Sequence, residues 1–520
     1  MERWYLTAGD FGFFWAEQLK SFSWLPKVYG SDIGFGGSQL LTLWFEYPYD
    51  LFLKVLDRIG LSWWIIEKLV WISVFALAIY SSHRLAKYII GKNIFTLLTP
   101  LIFTSNTYFL LLISGGQLGV SWAYAFSPWV VQKFMETSDR QKKFALHPAI
   151  INGILFSVLV VFDLRIAYMT LGIMGLYSVF RKRLSAIYSI AITLLVAAST
   201  HLYWILPTTL ASRGVAALGE QFTNQGMLKF LSFADFSHAL TLLHPNWPEN
   251  LFGKVYFLQP EFIVIPILAF LSLLFAKKNK KVLFFALLSL LGAFFAKGVN
   301  DPFGNIFAWC FTHIPGFVMF RDPSKFYLIT ALGYSILIPF VLMQIRKNAG
   351  IVIFTIFWFL TIRAVFTGQV QGVFKPHQLP QEYAKLTDIL LADTEPSRTL
   401  WIPDKEGYAY FSNTHPLLTA TNAAIFDPSV KYIIVPIDVR KRIFLNDYKY
   451  DPSLREKIIS GITMPQDMRF HNLAVFENSA FSGMKNVVPP IVGIQQELAN
   501  IGFGISIVSL FFWVLWIYLH

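Results

Sequence analysis

Charge is scarce in this sequence. Of its 520 residues only 14% are Asp, Glu, Lys or Arg, where ordinary soluble proteins carry roughly 25%, and 55% are apolar. A soluble multidomain enzyme is excluded. Cysteine is almost missing as well: Cys310 alone allows no intrachain disulfide, so cysteine usage says nothing about the redox compartment. Residues 1–15 lack the basic stretch and apolar run of a cleavable signal. Nucleotide fingerprints of the GxGxxG or GxxxxGK[ST] kind do not occur, nor do the HExxH and CxxC spacings of zinc sites. There is no internal repeat and no low-complexity segment.

What is present is a series of apolar runs long enough to cross hydrocarbon. Hydropathy places eleven spans near 63–82, 94–113, 119–135, 149–162, 166–180, 184–206, 261–276, 282–297, 326–345, 349–366 and 499–518. The basic residues gather in alternate loops, at Arg84/Lys87/Lys92, Lys133/Arg140/Lys142/Lys143, Arg181/Lys182/Arg183, Lys277/Lys278/Lys280/Lys281 and Arg346/Lys347. By the positive-inside rule these five loops are cytoplasmic. Residues 1–62, the loops 207–260 and 298–325, and the block 367–497 then share the outer face. This alternation requires 149–180 to be two short helices that turn near Asp163 and Arg165. An outer N-terminus with no preceding span requires either unaided translocation of the tail or a missing first helix; the expectation is that a helix is missing and that Met1 is an internal or mis-assigned start.

The net charge of +12 would suggest nucleic acid in a soluble protein. Residues 368–497, however, hold 13 Lys/Arg and 14 Asp/Glu, so the excess belongs to the membrane part, 30 against 17. It is a topology signal, and nucleic acid is not an expected partner. The block 367–497 reads as a small α/β domain, with strand-like runs at 398–402, 431–436 and 473–477 and helix-like runs at 381–392 and 452–461. The domain plan is therefore 1–62, an outer loop with interfacial helices; 63–366, the membrane core; 367–497, the outer domain; and 498–520, a last span.

Few residues can carry chemistry. Asp10, in Gly-Asp-Phe-Gly before the aromatic segment FFWAEQLKSFSW, could take a proton from an acceptor hydroxyl if its site raises its pKa; the alternative is a simple turn. Asp32, in the glycine-rich YGSDIGFGG, is its partner or rival. In PGFVMFRDPSKF, Asp322-Pro323 is a helix start signal. Flanked by Arg321 and Lys325, that helix end suits a lipid phosphate, or is an ordinary capped helix with snorkelling cations. Asp163 and Arg165, in FDLRIAY, are the most deeply embedded charges and read as a structural pair. His244, Asn246, Trp247 and Glu249, in HPNWPEN, have the mixture of aromatic face and polar edge that a sugar site uses, or form a proline-stiffened loop with an interfacial Trp.

Together the outer GD, the DLR between two short helices, HPNWPEN and PGFVMFRDPSKF resemble the GT-C superfamily of polyprenyl-phosphate-sugar glycosyltransferases, within it most nearly the arabinofuranosyltransferase and YfhO-like membrane proteins. The resemblance covers most of residues 9–345. It implies a GT-C-like α-helical polytopic fold, here with about 11 membrane helices and the family's first helix missing, and a small outer α/β domain. It further implies a catalytic Asp in the first outer loop, Asp10 with Asp32 as rival, and a donor-phosphate site at Arg321 and Lys325. The expected activity is inverting transfer of a sugar from a polyprenyl-phosphate donor to a glycan, lipid or protein acceptor of the cell envelope. The reaction is expected on the outer face of a prokaryotic plasma membrane, with no cofactor and no metal required by the sequence. A transporter or flippase of lipid-linked saccharides and an inactive glycan-binding scaffold are the alternatives.

Overall fold

In the computed structural model the chain divides into two compact units. The structure describes residues 3–140, 145–182, 184–211, 225–244, 260–276, 279–345, 349–368, 370–402, 407–419, 427–436, 456, 459–460, 462, 466–469, 473–484 and 490–520.

The first unit comprises Met1–Leu69, Tyr203–Ala211 and Gly372–Gly504. Its centre is a five-stranded sheet in the order Leu417–Thr419, Arg398–Trp401, Val430–Pro436, Leu473–Glu477, Gln466–Arg469. The first three strands run parallel and the last two pair antiparallel. Val430–Pro436 is buried along its length except at Lys431, as expected for a central strand covered on both faces. Leu400, Leu418, Ile433, Val435, Ala474 and Phe476 belong to the core of the sheet. Helix Gln381–Ala392 sets Tyr383 against Trp401, ring centroids 6.2 Å apart. The sequence run 452–461 lies largely outside the described residues.

Residues of the N-terminal segment are part of this unit. Trp4–Tyr5 pairs with His377–Gln378, the Phe13 N–H donates to the Gly407 carbonyl at 3.2 Å, and Ile33 bridges to Leu417 on the edge strand. The buried Glu67 accepts from the Leu6 N–H at 2.9 Å and from Lys68, fastening the first strand to the start of helix Trp63–Ile90.

The second unit comprises Val70–Leu202, Ser212–Gln371 and Ile505–His520. Helix Tyr327–Ile345 runs through its core, buried at every position from Tyr327 to Leu342. It approaches helix Lys280–Ala296 closely: a methyl group on Gly333 would fall 1.8 Å from Ser289 Oγ, and one on Gly292 would fall 2.7 Å from the Thr330 nitrogen. Only glycine fits at either contact.

The Asp163 turn is what the topology required. Helix Leu146–Phe162 ends at Asp163 and helix Leu164–Arg181 begins there. Both run beside helix Leu118–Arg140. Phe162 packs on Trp122 at 5.4 Å, near one end of that helix, while the Asn152 amide reaches Thr137 near the other. Tyr177 and Arg181 return to Asp139 at the same far end, at 2.7 and 3.1 Å. The two helices are therefore an antiparallel pair.

That far end is a charged node. Asp139 accepts from the Tyr88 and Tyr177 hydroxyls, both at 2.7 Å, and pairs with Arg181 and with Lys281 at 3.0 Å. Lys281 also lies over the Tyr88 ring, 3.7 Å from its centroid. Four helices thus join beside basic clusters that the sequence assigns to one face.

Three helices among the described residues are individually long and apolar enough to span a bilayer: Trp63–Ile90, Pro323–Ile345 and Ile491–Leu519. Two bent pairs, Ile94–Ser105 with Thr107–Ser114 and Ser185–Thr200 with Leu202–Leu210, bring the number to five when each pair is counted as one broken span. Leu146–Phe162, Pro260–Phe275 and Ala349–Thr361 are shorter apolar helices. At the first break, buried Asn106 supplies the missing partners. Its amide donates to the Ile102 and Phe103 carbonyls and to Tyr124, and its carbonyl accepts from the Phe109 N–H. A helix break in hydrocarbon is tolerated only with such compensation.

Breaking the node should loosen four helices at once. Asp139→Ala is expected to lower stability by about 2–3 kcal/mol, because two hydroxyls and two cations lose their acceptor. Thermal unfolding of the detergent-solubilised protein measures this, and a midpoint equal to the parent's would show that the node carries no net stability.

Candidate functional site

In the second unit two helix starts meet. Asp163 caps the first: its Oδ1 accepts from the N–H groups of Arg165 and Ile166 at 2.8 and 3.0 Å. The same carboxylate takes the Arg165 guanidinium, with Nη2 2.6 Å from Oδ2. Asp163 is buried, whereas Arg165 keeps about a third of its side chain exposed, 34%.

The segment PGFVMFRDPSKF builds the second start. Gly316 turns the chain in the left-handed region, at φ 79°, and two short 3-10 turns follow, Phe317–Phe320 and Pro323–Phe326. Asp322 caps the latter, accepting from the Ser324 N–H at 3.0 Å and from Lys325 Nζ at 2.6 Å. Lys325 does not snorkel. It is buried, and its ammonium turns back onto the capping carboxylate. Burial alone would raise the Asp322 pKa; the charge and hydrogen bond of Lys325, with a Ser324 side-chain hydrogen bond, overcome it and hold the carboxyl well below the usual range.

The two starts form one electrostatic cluster. The Tyr168 hydroxyl, one turn beyond Arg165, donates to the Pro315 carbonyl at 3.0 Å, and its ring meets Phe320 at 5.7 Å. Asp322 acts on Arg165, Tyr108 and His244. With Arg321, half-buried beside it, the group holds three cations against two carboxylates.

His244 closes the inner side. Its ring lies nearly parallel to Tyr327 at 4.9 Å and to Tyr108 at 5.5 Å. Thr107 fixes the strand of chain around it, accepting from the His244 N–H at 2.9 Å and donating to the Leu242 carbonyl at 2.7 Å. The Tyr108 hydroxyl is buried and has no hydrogen-bond partner among the described residues. Burial pushes the His244 pKa down to about 3, with Asp322 opposing and Lys325 assisting, so the imidazole is neutral at physiological pH. Asn246, Trp247 and Glu249 lie outside the described residues.

Asp10 and Asp32 belong to the first unit. Asp10 is exposed at the tip of a tight turn closed by reciprocal Ala8 and Phe11 backbone bonds of 3.1 and 3.0 Å, with Gly9 at φ 56°. Asp32 is half-buried, and its carbonyl accepts from the Leu417 N–H on the sheet edge at 2.9 Å. Its carboxylate faces two acids that the sequence reading passed over, Glu46 and Asp50, one turn apart on helix Leu43–Arg58. Burial, then Glu46 and Asp32, push Asp50 up to about 7 against the pull of Lys27. Burial likewise raises Glu46, although a Thr42 hydrogen bond opposes it. The only sequence signal was the spacing of two acids in an aromatic helix. Among the described residues no three His, Cys, Asp or Glu side chains come together as metal ligands.

A helical core of apolar helices long enough to cross a bilayer, attached in sequence to a small mixed sheet, is the build of an integral membrane protein. No protein-family model matches the chain, and no curated protein matches it in sequence. In structure it is similar to the arabinofuranosyltransferase AftD from mycobacteria, with a TM-score of 0.55 and 12% identity over 89% of this chain. A mutant of AftD matches at a TM-score of 0.47 and 12% identity, covering 91% of this chain and 39% of that one. The chain spans 37% of the length of AftD itself. The resemblance read from the sequence is borne out at the level of the fold.

The neutral His244 has a consequence for pH. An unfolded imidazole titrates near 6.5, so between about pH 3 and 6.5 the unfolded state binds the extra proton and stability rises with pH. One group contributes at most about 1.4 kcal/mol per pH unit. Unfolding of His244→Gln across this window should show a shallower rise than the parent, and identical slopes would mean that His244 is not held neutral.

Proposed function

We propose that the chain is a membrane glycosyltransferase that moves a sugar from a polyprenyl-phosphate donor to a cell-envelope glycan, lipid or protein on the outer face, with inversion. The observation that carries this reading is the cluster of Arg165, Arg321 and Lys325 held at two capped helix starts, at the opposite end of helix Leu164–Arg181 from the Asp139 node. That helix of 18 residues is about 27 Å long, close to the roughly 30 Å of bilayer hydrocarbon. If the basic rim is cytoplasmic, the cluster faces the outer leaflet. The fold shared with AftD gives the reading its context.

In the proposed step an acceptor hydroxyl oxygen bonds to the anomeric carbon while the bond from that carbon to the phosphate oxygen breaks. The hydroxyl proton passes to a carboxylate, and the lipid phosphate leaves with the electron pair. Ionic partners fixed in advance stabilise that departing charge without reorganising. Arg321 and Lys325 are the assigned phosphate cations, and the two carboxylates keep their neighbours oriented. Asp10 is the assigned proton acceptor, with Asp32 as its rival. Glu46 and Asp50 strengthen the rival, since a carboxyl near pH 7 suits a general base.

A transporter is favoured by one feature, the span broken at Asn106. Transporters use such breaks to bind ions or substrate. Here the Asn106 amide nitrogen and carbonyl are already bonded to Ile102, Phe103, Tyr124 and Phe109, which leaves little for a passing ligand.

Transfer from a polyprenyl-phosphate sugar in membranes tests the assignment. Arg321→Ala should cost about 100-fold or more in turnover, the scale of losing one charge-stabilising donor; full activity would remove Arg321 from the phosphate site. Asp10→Asn should abolish transfer. An active Asp10→Asn enzyme together with inactive Asp32→Asn or Asp50→Asn enzymes would move the base to the second carboxylate group.

A further inference from the structure

Helix Gly304–His313 lies between two spans of the second unit and belongs to none of the features above. At about 100° per residue its side chains divide into three stripes. Phe307, Cys310 and Phe311 are buried. Ile306, Trp309 and His313 occupy the next stripe and are exposed, Ile306 at 44% and Trp309 at 57%. Asn305 and Thr312 share the third, also exposed. More than half of the helix surface is thus apolar or aromatic, and protein covers only part of it.

The buried stripe fixes the depth of the helix. Phe307 packs on Phe295 at 6.2 Å, on Phe317 at 5.3 Å and on Phe326 at 6.3 Å. Phe295 sits at the last turn of helix Lys280–Ala296, and Phe326 immediately precedes helix Tyr327–Ile345. The helix therefore lies level with the ends of two spans, at the end remote from Lys281. At that level a side chain meets the boundary between headgroups and acyl chains, the zone that favours Trp. Trp309 stacks on His313 at 5.0 Å, and the His313 ring bonds Thr312 and the Trp309 carbonyl, so the aromatic pair has a polar edge. Phe303, at the N-terminal end, is 67% exposed and holds a left-handed φ of 59°. A strained backbone that delivers a phenyl ring into water gains nothing.

We infer that helix Gly304–His313 is an interfacial membrane helix, seated with Phe303, Ile306 and Trp309 in the outer part of the bilayer and with Asn305 and Thr312 toward water. Its occupant is the lipid surface already met by the neighbouring spans. A glycan would need hydrogen-bonding groups on more than one side of Trp309, and apart from His313, whose ring already bonds Thr312 and the Trp309 carbonyl, that stripe offers only Ile306. The inference depends on the chain residing in a membrane and not on the transfer reaction.

Site-directed spin labelling tests it on the full chain in phosphatidylcholine–phosphatidylglycerol nanodiscs. Cys310→Ala removes the one native thiol, and labels are placed singly at Ile306→Cys, Trp309→Cys, Asn305→Cys and Thr312→Cys. The first two labels should relax with dissolved oxygen and lose relaxation by an aqueous nickel chelate; the last two should respond to nickel. Nickel relaxation at all four would make the face an aqueous or glycan-facing surface and overturn the proposal, as would protection of Ile306 and Trp309 from both reagents, which would mean that protein covers them. A second measurement avoids labels. In vesicles of acyl-brominated phosphatidylcholine, Trp309→Phe should lose a smaller fraction of its tryptophan fluorescence than the parent, and equal losses would place Trp309 away from lipid.

Discussion

A helix that begins inside a protein leaves backbone N–H groups without partners, and a cation buried nearby needs an anion. Asp163 and Asp322 each meet both demands. One carboxylate caps helix Leu164–Arg181 and pairs Arg165; the other caps the start of the span before Tyr327 and pairs Lys325. Removing either would strand a helix end and a charge together, which is far costlier than losing an exposed ion pair. The cations are consequently oriented and partly neutralised by the fold itself, which is what the proposed phosphate site would need.

Polarity along the second unit follows from the same helices. Leu164–Arg181 carries Arg165 at its first turn and Arg181 at its last, and Lys280–Ala296 begins beside Asp139. Charges collect at the helix ends, and the middle of the unit is held by small residues, Gly292, Gly333 and Ser289, and by hydroxyl-to-carbonyl bonds such as Thr99 to Ser335 at 2.7 Å. Packing of this kind, close backbones with internally satisfied hydroxyls, suits a helix bundle in lipid.

Much of this was legible in the residues. Apolar runs and the alternation of basic loops gave the membrane class, and the requirement that 149–180 fold back pointed to Asp163, where the turn is found. Asp322-Pro323 was readable as a cap because its signal is local. The inward turn of Lys325 was not, since it depends on burial by distant chain. Glu46 and Asp50 escaped notice because carboxylates become unusual only when desolvated beside a third acid, Asp32, which lies before the start of their helix. The attachment of residues 4–34 within the first unit rests on backbone bonds separated by hundreds of residues, which no pattern announces. Asn106 is one polar residue in an apolar run, and nothing in the sequence says that its amide goes to Tyr124 and to the Ile102 and Phe103 carbonyls.

The enclosure of helix Tyr327–Ile345 bears on how the protein is made. Ribosomes deliver the chain from the N-terminus, so the helices carrying Thr99, Ser289 and Gly292 are released before their common partner exists. Until then those small and polar positions face lipid or one another. The span Pro323–Ile345 is long and apolar enough to enter the bilayer alone. The core of the unit thus closes late in biosynthesis, by a self-inserting helix sliding into a slot lined with glycine and serine, and an assembly factor at that stage would need to guard the slot rather than the helix.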